Sequence, residues 1–473
     1  MTTYENAIAP ARKGRFPGIR ARTPWELIGG IVFWVVVIGV GIYWVVIWAQ
    51  GGSDGLSGFK WQDAHQIFLN VGRITALLGG YLAIVEVLLL ARLPFLERWF
   101  GFDRLTIWHK WNGHAVLYLI LAHVVFSVWG DARDPFLGGG SWSNEYWNLM
   151  VQPLYPGIII ATIGTVLLIF VVFSSLAIAR RKLNYELWYA VHFTAYAGIA
   201  LAWFHEIPAG NELTPNVEVI PADIWRATYA AALLLVVWYR LGWPIVQNWR
   251  YRLRISEVVE EAPGIWSLRI SGRGLERYHA KAGQFFFWRF LTHGFWYTQH
   301  PFSVSEAPHG DSFRITVKAL GDHTGKFGQL KVGTRVLAEG PFGVFTADTR
   351  TRAKVLMIAG GIGITPVRAL LEEFKGDVIT IYRALTERDL VLSGEIDQLV
   401  ARNGGKVDYV VGDHTTPEGA RLLTPEHLRE LVPDIDERDV YACGPPAMLA
   451  VIEQNLHKMH LDHSHVHIEN FAI

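Results

Sequence analysis

The chain has 473 residues, 51% of them hydrophobic, and its 43 basic and 43 acidic side chains cancel to a formal net charge of zero. That balance does not indicate a basic surface for nucleic acid. A single cysteine, Cys443, excludes an internal disulfide, a thiolate cluster for zinc or iron-sulfur and the CxxCH attachment of covalent haem, so any metal must be held by histidine.

Six apolar stretches occupy the first half, at 25–49, 66–91, 107–130, 156–178, 185–206 and 222–246. Each is close to the roughly 20 residues needed to cross a hydrocarbon core. The first is too long and too rich in tryptophan for a cleaved signal peptide, and no small-residue cleavage site follows it, so it is read as a membrane span. Arg12, Lys13, Arg15, Arg20 and Arg22 precede span one, Arg92, Arg98 and Arg104 join spans two and three, and Arg180, Arg181 and Lys182 join four and five. The opposite loops carry Asp131, Asp134, Glu212 and Glu218 and little basic beyond Lys60 and Arg133. By the positive-inside rule this is a multi-pass cell-membrane protein with both termini cytoplasmic.

Histidine is costly inside a bilayer, yet span three, "LTIWHKWNGHAVLYLILAHVVFSVWG", carries His109, His114 and His123, and span five carries His192 and His205. His109 and His123 are 14 residues apart, about 21 Å of helix rise and nearly four full turns, so they face almost the same way at two depths. Spans three and five both run outward, which pairs His109 with His192 near the cytoplasmic side and His123 with His205 near the other. Two bis-histidine b-type haems stacked across the bilayer are the expectation; hydrogen bonding between helices is the alternative. The spacing of 13 between His192 and His205 leaves ideal helical ligands roughly 140° out of phase. It therefore predicts a local distortion of span five, or His205 beyond regular helix near Pro208. His114 lies on a different face and reads as a packed or propionate-contacting residue. Arg73, a third of the way into span two, needs an anionic partner such as a haem propionate or a reduced oxygen species, unless it snorkels to the surface. No role for Glu86 follows from the sequence.

From about residue 250 the pattern changes to period-two runs broken by glycine and proline: "YRLRISEVV", "WSLRISG", "GQFFFWRF", "FRITVKAL" and "TRVLAEG". These predict a small antiparallel barrel. After 353, "KVLMIAGGIGITPVRALLEEF" reads as strand, glycine turn and helix, and "VITIYRA", "KVDYVVG" and "DVYACG" supply further strands of a parallel doubly wound sheet. The predicted organisation is a cytoplasmic segment at 1–24, a six-helix transmembrane haem-binding bundle at 25–248, a β-barrel FAD domain at 249–348 and an α/β nucleotide domain at 352–473. Near the end, His463, His465 and His467 are expected to share one strand face, as strand polarity rather than a metal site.

"AGGIGITP" at 359–366 follows an apolar strand and opens a helix, where backbone amides and the helix N-terminus favour a pyrophosphate. "HPFSVSEAP" at 300–308, "VKALGDHTGKFG" at 317–328, "EGPFGVF" at 339–345, "YACGPPAML" at 441–449 and the terminal "ENFAI" complete an ordered set. On these motifs and the membrane histidines, residues 25–473 resemble the ferric reductase and NADPH oxidase family, especially its bacterial members, in which a membrane domain is fused to a ferredoxin-NADP reductase-like flavoprotein module. The resemblance implies that His300, Pro301, Phe302 and Ser303 flank the flavin, and that Lys318 meets the FAD pyrophosphate. It implies that Gly321, His323 and Thr324 form the phosphate-side turn, with His323 where oxidases commonly have tryptophan. Gly360, Gly361, Gly363, Thr365 and Pro366 match the nicotinamide nucleotide loop, Cys443, Gly444, Pro445 and Met448 a second one, and Phe471 the terminal aromatic that covers the flavin ring. An arginine near Arg73 and the 14-and-13 histidine spacing also belong to this pattern.

A stacked Phe471 would yield its place to the nicotinamide when hydride transfer occurs. Arg383, just past the second strand, is placed to meet a 2'-phosphate, which favours NADPH over NADH. The expected protein is an NAD(P)H oxidase or ferric reductase type of flavocytochrome b. It passes electrons from cytoplasmic NAD(P)H through FAD and two b-type haems to oxygen, giving superoxide, or to a ferric chelate on the far side. A membrane electron-supply subunit for a partner protein, and a transporter with a regulatory flavin domain, are the alternatives.

Overall fold

The computed structural model describes residues 24–50, 64–133, 141–151, 157–176, 179, 183, 185–209, 213, 219–321, 323–413 and 416–470. They form two compact units, one over Gly29–Gly242 and one containing Trp243–Ile473.

The first unit is helical: α1 (Pro24–Gln50), α2 (Ala64–Leu89), α3 (Pro94–Phe100), α4 (Phe102–Ala132), α5 (Trp142–Val151), α6 (Ile158–Ser175), α7 (Tyr185–Ala209) and α8 (Val219–Val237). Six helices are long and apolar enough to cross a membrane: Ile28–Gln50, Ala64–Leu89, Arg104–Ala132, Ile158–Ser175, Leu187–Ile207 and Ile220–Tyr251. They match the six spans expected from hydropathy. Lipid supplies no hydrophobic drive between helices, so small residues decide which pairs pack closely. Gly72 of α2 lies so near Ser127 of α4 that an added Cβ would stand 3.2 Å from the Ser127 Cα. On the second pair, a Cβ at Gly164 of α6 would meet the Gly198 carbonyl of α7 at 2.7 Å. The histidine-bearing helices α4 and α7 thus each have a backbone neighbour at close range.

The second unit begins with a helix. After a π-helical turn at Trp238–Gly242, α9 (Trp243–Tyr251) packs on the barrel. The Asn248 side-chain amide donates to the Ala338 carbonyl at 3.3 Å and accepts from the Ala338 N–H at 3.0 Å, imitating a strand neighbour. The barrel's strands are β1 (Arg254–Ala262), β2 (Ile265–Ser271), β3 (Phe285–Phe290), β4 (His300–Ser303), β5 (Ser312–Lys318) and β6 (Val336–Phe342), in antiparallel sheets of order β1-β2-β5 and β4-β3-β6. β3 departs from the expected alternation, because Phe285 and Phe287 pack with Phe342 on one face while Phe286, Trp288 and Phe290 fill the core on the other. β4, which the sequence presents only as a motif, is a short strand paired with β3.

The remaining strands are β7 (Lys354–Gly360), β8 (Val378–Ala384), β9 (Lys406–Val411), β10 (Arg438–Gly444) and β11 (Val466–Asn470), parallel in the order β11-β10-β7-β8-β9. The chain winds outward from β7 through β8 to β9, then returns to β10 on β7's other side. The carboxyl ends of β7 and β10 are therefore the topological switch point at which such sheets bind ligands. The tail histidines do not share a strand face: His463 and His465 lie in a 3-10 turn before β11, His465 bonds Asp439 at 3.0 Å, and His467 is buried against Tyr441.

Barrel and sheet are joined by ion pairs. The Arg314 guanidinium of β5 grips Glu395 at 2.9 and 2.8 Å, and the Nε of Arg368 on α10 (Ile364–Glu373) binds the same carboxylate at 2.8 Å. Glu395 stands on α11 (Ser393–Asn403). Burial alone would raise the Glu395 pKa, but the bonds and charges of Arg314 and Arg368 outweigh it and hold the carboxyl below its ordinary value. A depressed carboxylate stabilises the fold above its unfolded pKa and loses that contribution as pH falls. Glu395→Gln is therefore expected to lower stability at neutral pH by about 2–3 kcal/mol. In thermal unfolding, the gap to the parent should narrow as pH drops through the carboxylate range.

Candidate functional site

Three of the four predicted membrane histidines are held in the same manner. His123 Nδ1 lies 3.0 Å from the Gly72 carbonyl and 3.2 Å from Ser127 Oγ. His109 Nδ1 lies 3.2 Å from the Glu86 carbonyl and 2.8 Å from its carboxylate. His192 Nδ1 meets Ser175 Oγ at 3.2 Å. Ser175 gives its own proton to the Val171 carbonyl at 2.8 Å and also accepts from Trp188 Nε1 at 3.3 Å, so toward His192 it acts as an acceptor. Carbonyl, carboxylate and occupied hydroxyl all require the imidazole to donate from Nδ1, and a neutral ring so fixed keeps its lone pair on Nε2.

The close helix contacts make this arrangement possible. α2 carries the acceptors for the α4 histidines, and α6 carries Ser175 for α7. The His109 and His192 rings face each other across helices with centroids 5.9 Å apart and planes tilted by 57°. Two metal–nitrogen bonds of about 2 Å each, plus half the width of each ring, add to about 6 Å. At the other level His205 stands beside Gly157, where an added Cβ would come within 3.3 Å of the His205 Cα. The expected break in span five is absent, since α7 continues as regular helix through His205 to Ala209.

Glu86, to which the sequence assigned no role, is the most informative addition. Its carboxylate takes the His109 Nδ1–H on one oxygen and the Asn112 amide on the other, at 2.8 Å each. Its only advance signal is an acid near the inner end of a membrane span. His65 is a second omission, with Nδ1 2.6 Å from the Gly130 carbonyl. His114 turns along its own helix to the Lys110 carbonyl at 2.6 Å and does not join the paired rings. Arg73 is partly buried on α2, with a terminal nitrogen 3.4 Å from Asn70 Oδ1.

At the sheet's switch point the glycines divide their work. A Cβ at Gly363 would meet the Gly444 Cα at 2.7 Å, and one at Gly360 would meet Pro445 Cδ at 3.1 Å, so these glycines let the two loops press together. Gly361 differs: its φ is +53° and its Cβ direction is open, which leaves its backbone free to approach a ligand. Thr365 caps the turn through a 3.0 Å bond to the Ile362 carbonyl, and Pro366 is buried in the first turn of α10. Met448 packs on Gly360 and Gly444. Cys443 is fully buried between Ala359 of β7 and Glu469 of β11. Arg383 is buried too, and donates to the Val410 carbonyl at 3.2 Å and the Gly412 carbonyl at 2.5 Å. Phe471 lies outside the described residues.

The predicted flavin residues converge on one wall of the barrel. The His300 ring stacks on Phe302 at 5.7 Å, lies 5.9 Å from the His323 ring, and has Nε2 3.3 Å from Thr298 Oγ1. Pro301 sits between them on β4 opposite Phe287. Ser303 Oγ is buried with no hydrogen-bond partner among the described residues, a cost that a ligand's polar edge would offset. Thr324 Oγ1 accepts from the Leu320 and Gly321 amides at 3.0 Å each and closes the turn. Lys318 rests 3.4 Å from Asp389. Burial works against the Asp389 charge, but Thr386 and Lys318 hold its pKa below the usual value.

Residues 75–203 match the ferric reductase like transmembrane component, 267–346 the FAD-binding domain and 357–454 the oxidoreductase NAD-binding domain. The chain has the ferric reductase and NADPH oxidase-like architecture. A ferric reductase-like transmembrane domain is thus followed in one chain by FAD-binding and NAD-binding domains, and six of its helices are long and apolar enough to cross a membrane. The chain is 28% identical over 242 residues to the glycine betaine monooxygenase reductase subunit of Chromohalobacter salexigens, covering 48% of this chain and 65% of that protein. It is also 28% identical to NADH-cytochrome b5 reductase 1 of Laccaria bicolor, over 31% of this chain and 52% of that one. The chain thus spans less than two-thirds of the length of either relative. Among solved structures, the flavohem-like FAD/NAD binding domain of Vibrio cholerae nitric oxide dioxygenase is 23% identical, covers 46% of this chain and 98% of its own, and has a TM-score of 0.39.

Burial, and secondarily the Glu469 charge, push the Cys443 thiol well above its ordinary pKa. Since thiolate is the nucleophile, Cys443 should resist iodoacetamide at neutral pH in the folded protein and react once it is unfolded. Mass spectrometry of the labelled chain would read this directly, and rapid labelling of the native protein would contradict it.

Proposed function

We propose that this protein carries reducing equivalents across the bilayer, from cytoplasmic NAD(P)H to oxygen or a ferric chelate on the opposite side, and that it holds FAD and two b-type haems. The observation that carries this reading is the facing pair His109 and His192, each with Nδ1 committed to a fixed acceptor and with rings 5.9 Å apart. Bound FAD would accept hydride and release electrons singly to haem iron, which passes one at a time.

The chain's own residues do the positioning. His109 with His192, and His123 with His205, are the proposed haem ligands. Glu86 fixes the His109 ring and makes its free nitrogen a stronger donor, as carboxylates do for metal-bound histidine. Ser303 supplies an unpaired hydroxyl to the flavin edge, His300, Pro301 and Phe302 form its wall, and Lys318 with Gly321, His323 and Thr324 meets its phosphates. Gly361 brings backbone amides to the nucleotide pyrophosphate, while Gly360, Gly363, Thr365, Pro366, Gly444, Pro445 and Met448 hold the two loops in register. Cys443 acts as a neutral, close-packed neighbour of the reacting rings, and Phe471 covers the flavin until nicotinamide arrives. Arg73 offers its charge to a propionate or to the reduced acceptor.

Adding NADPH anaerobically to the FAD-loaded protein should reduce a b-type Soret band, which oxygen or ferric citrate then reoxidises; haem that stays oxidised would defeat the proposal. Glu86→Gln should raise the midpoint potential of one haem and weaken its retention about 10-fold or more, and an unchanged potential would remove Glu86 from this role. For the nucleotide, Arg383→Ala should raise KM for NADPH while leaving that for NADH alone. An equal effect on both would make Arg383 a tie between β8 and β9 and nothing more.

A further inference from the structure

One rim of the flavin barrel carries an unusual surface. The last candidate span ends at Tyr251, and β1 starts at Arg254, so this rim is where the chain leaves the membrane. Its loops gather around that point: the Arg273 amide donates to the Tyr251 carbonyl at 2.7 Å, Arg254 forms a β-bridge with Arg335, and the Leu291 amide donates to the Arg335 carbonyl at 2.8 Å. The loop at 291–299, between β3 and β4, therefore starts beside the chain's emergence point, and the Arg289 guanidinium pins it by a 3.3 Å bond to the Trp296 carbonyl.

Two kinds of side chain are exposed there. Trp296 is 59% exposed, Tyr297 49%, Leu291 41% and Val332 64%, and on α9 Trp249 is 73% exposed. Among them stand the exposed Arg252, Arg254, Arg273, Lys331 and Arg335, against the acids Glu276 and Asp311. Exposed tryptophan and tyrosine suit the headgroup level of a bilayer, and clustered cations suit the anionic lipids of a cytoplasmic leaflet.

We propose that this rim is a membrane-binding face, with Trp296 seated among the headgroups of an anionic phospholipid leaflet and the surrounding arginines and Lys331 meeting lipid phosphates, while the neighbouring Tyr297 turns its ring edge to His323 at 5.7 Å. The α9 clamp at Asn248 fixes the barrel to the emerging helix, and the rim gives it a second hold on the same surface.

The test uses the full chain in nanodiscs, with Trp296→Cys labelled by an environment-sensitive fluorophore. Buried Cys443 should leave the unsubstituted parent unlabelled. Val451→Cys, at a position 48% exposed on α12 (Pro446–Lys458), serves as the control. Phosphatidylcholine spin-labelled high on its acyl chain should remove most of the emission at 296 and none at 451, acrylamide should do the reverse, and phosphatidylglycerol should deepen the lipid quenching. The double variant Lys331→Glu with Arg335→Glu should return the 296 probe to acrylamide. Leu291→Cys repeats the measurement at a second position on the loop should the first variant misfold. Free access of acrylamide at 296 with no lipid quenching overturns the proposal. So does shielding from both quenchers, which would mean that flavin or protein covers the loop, and so does lipid quenching indifferent to phosphatidylglycerol, which would remove the anionic partner.

Discussion

A hydrogen bond from imidazole Nδ1 to an acceptor that cannot move is the constraint on which the membrane unit depends. In an apolar bundle a histidine without a partner is expensive, and a histidine free to rotate cannot present one nitrogen to a fixed point. Here the acceptors are a helix carbonyl, a carboxylate and a serine oxygen whose proton is already placed. Each sits on a neighbouring helix brought close by glycine. Helix packing, tautomer and ring direction are therefore a single arrangement: widening the α2–α4 gap at Gly72 would disturb the His123 acceptor along with the packing.

The soluble unit reaches its geometry by different means. Its sheet order places two loops side by side at the carboxyl ends of β7 and β10, and glycines without room for a Cβ keep them pressed together. Arg314, Arg368 and Glu395 tie the strand β5 to the helix that the glycine loop begins, and Arg314 also donates to the Ser305 carbonyl at 3.1 Å, within the flavin motif. A continuous set of charged bonds thus spans the ground between the nucleotide loop and the flavin wall. Buried ion pairs of this kind fix register more than they add stability, which suits two domains whose bound rings must meet within a narrow distance.

Much of this was legible in the sequence, and the omissions have physical reasons. Span hydropathy is a sum over some 20 residues and survives local irregularity, so six helices were readable. Strand alternation failed at "FFFWRF" because both faces of β3 are covered, and a strand of four residues, β4, is too short to show a period. Hydropathy places the end of the last span at about residue 246, inside α9; that helix carries Gln247, Asn248 and Arg250 and folds with the barrel through Asn248, a contact between residues 90 positions apart that leaves no local signal. At the site, the histidines were visible by type and spacing, while their acceptors Glu86, Gly72 and Ser175 lie on other helices and leave no local signal. Helix arithmetic predicted a distorted α7 or a His205 beyond regular helix, and the structure shows neither, since α7 runs as helix through His205 to Ala209. The glycines of "AGGIGITP" were expected to serve the phosphate together, whereas only Gly361 faces open space.

Haem stoichiometry, by the pyridine haemochrome assay on the purified chain and on His109→Ala and His123→Ala, tests the central claim most directly. Two b-type haems per chain in the parent and one in each variant is the predicted result. A parent without haem, or variants that keep both, would contradict the account of these imidazoles as two facing ligand pairs.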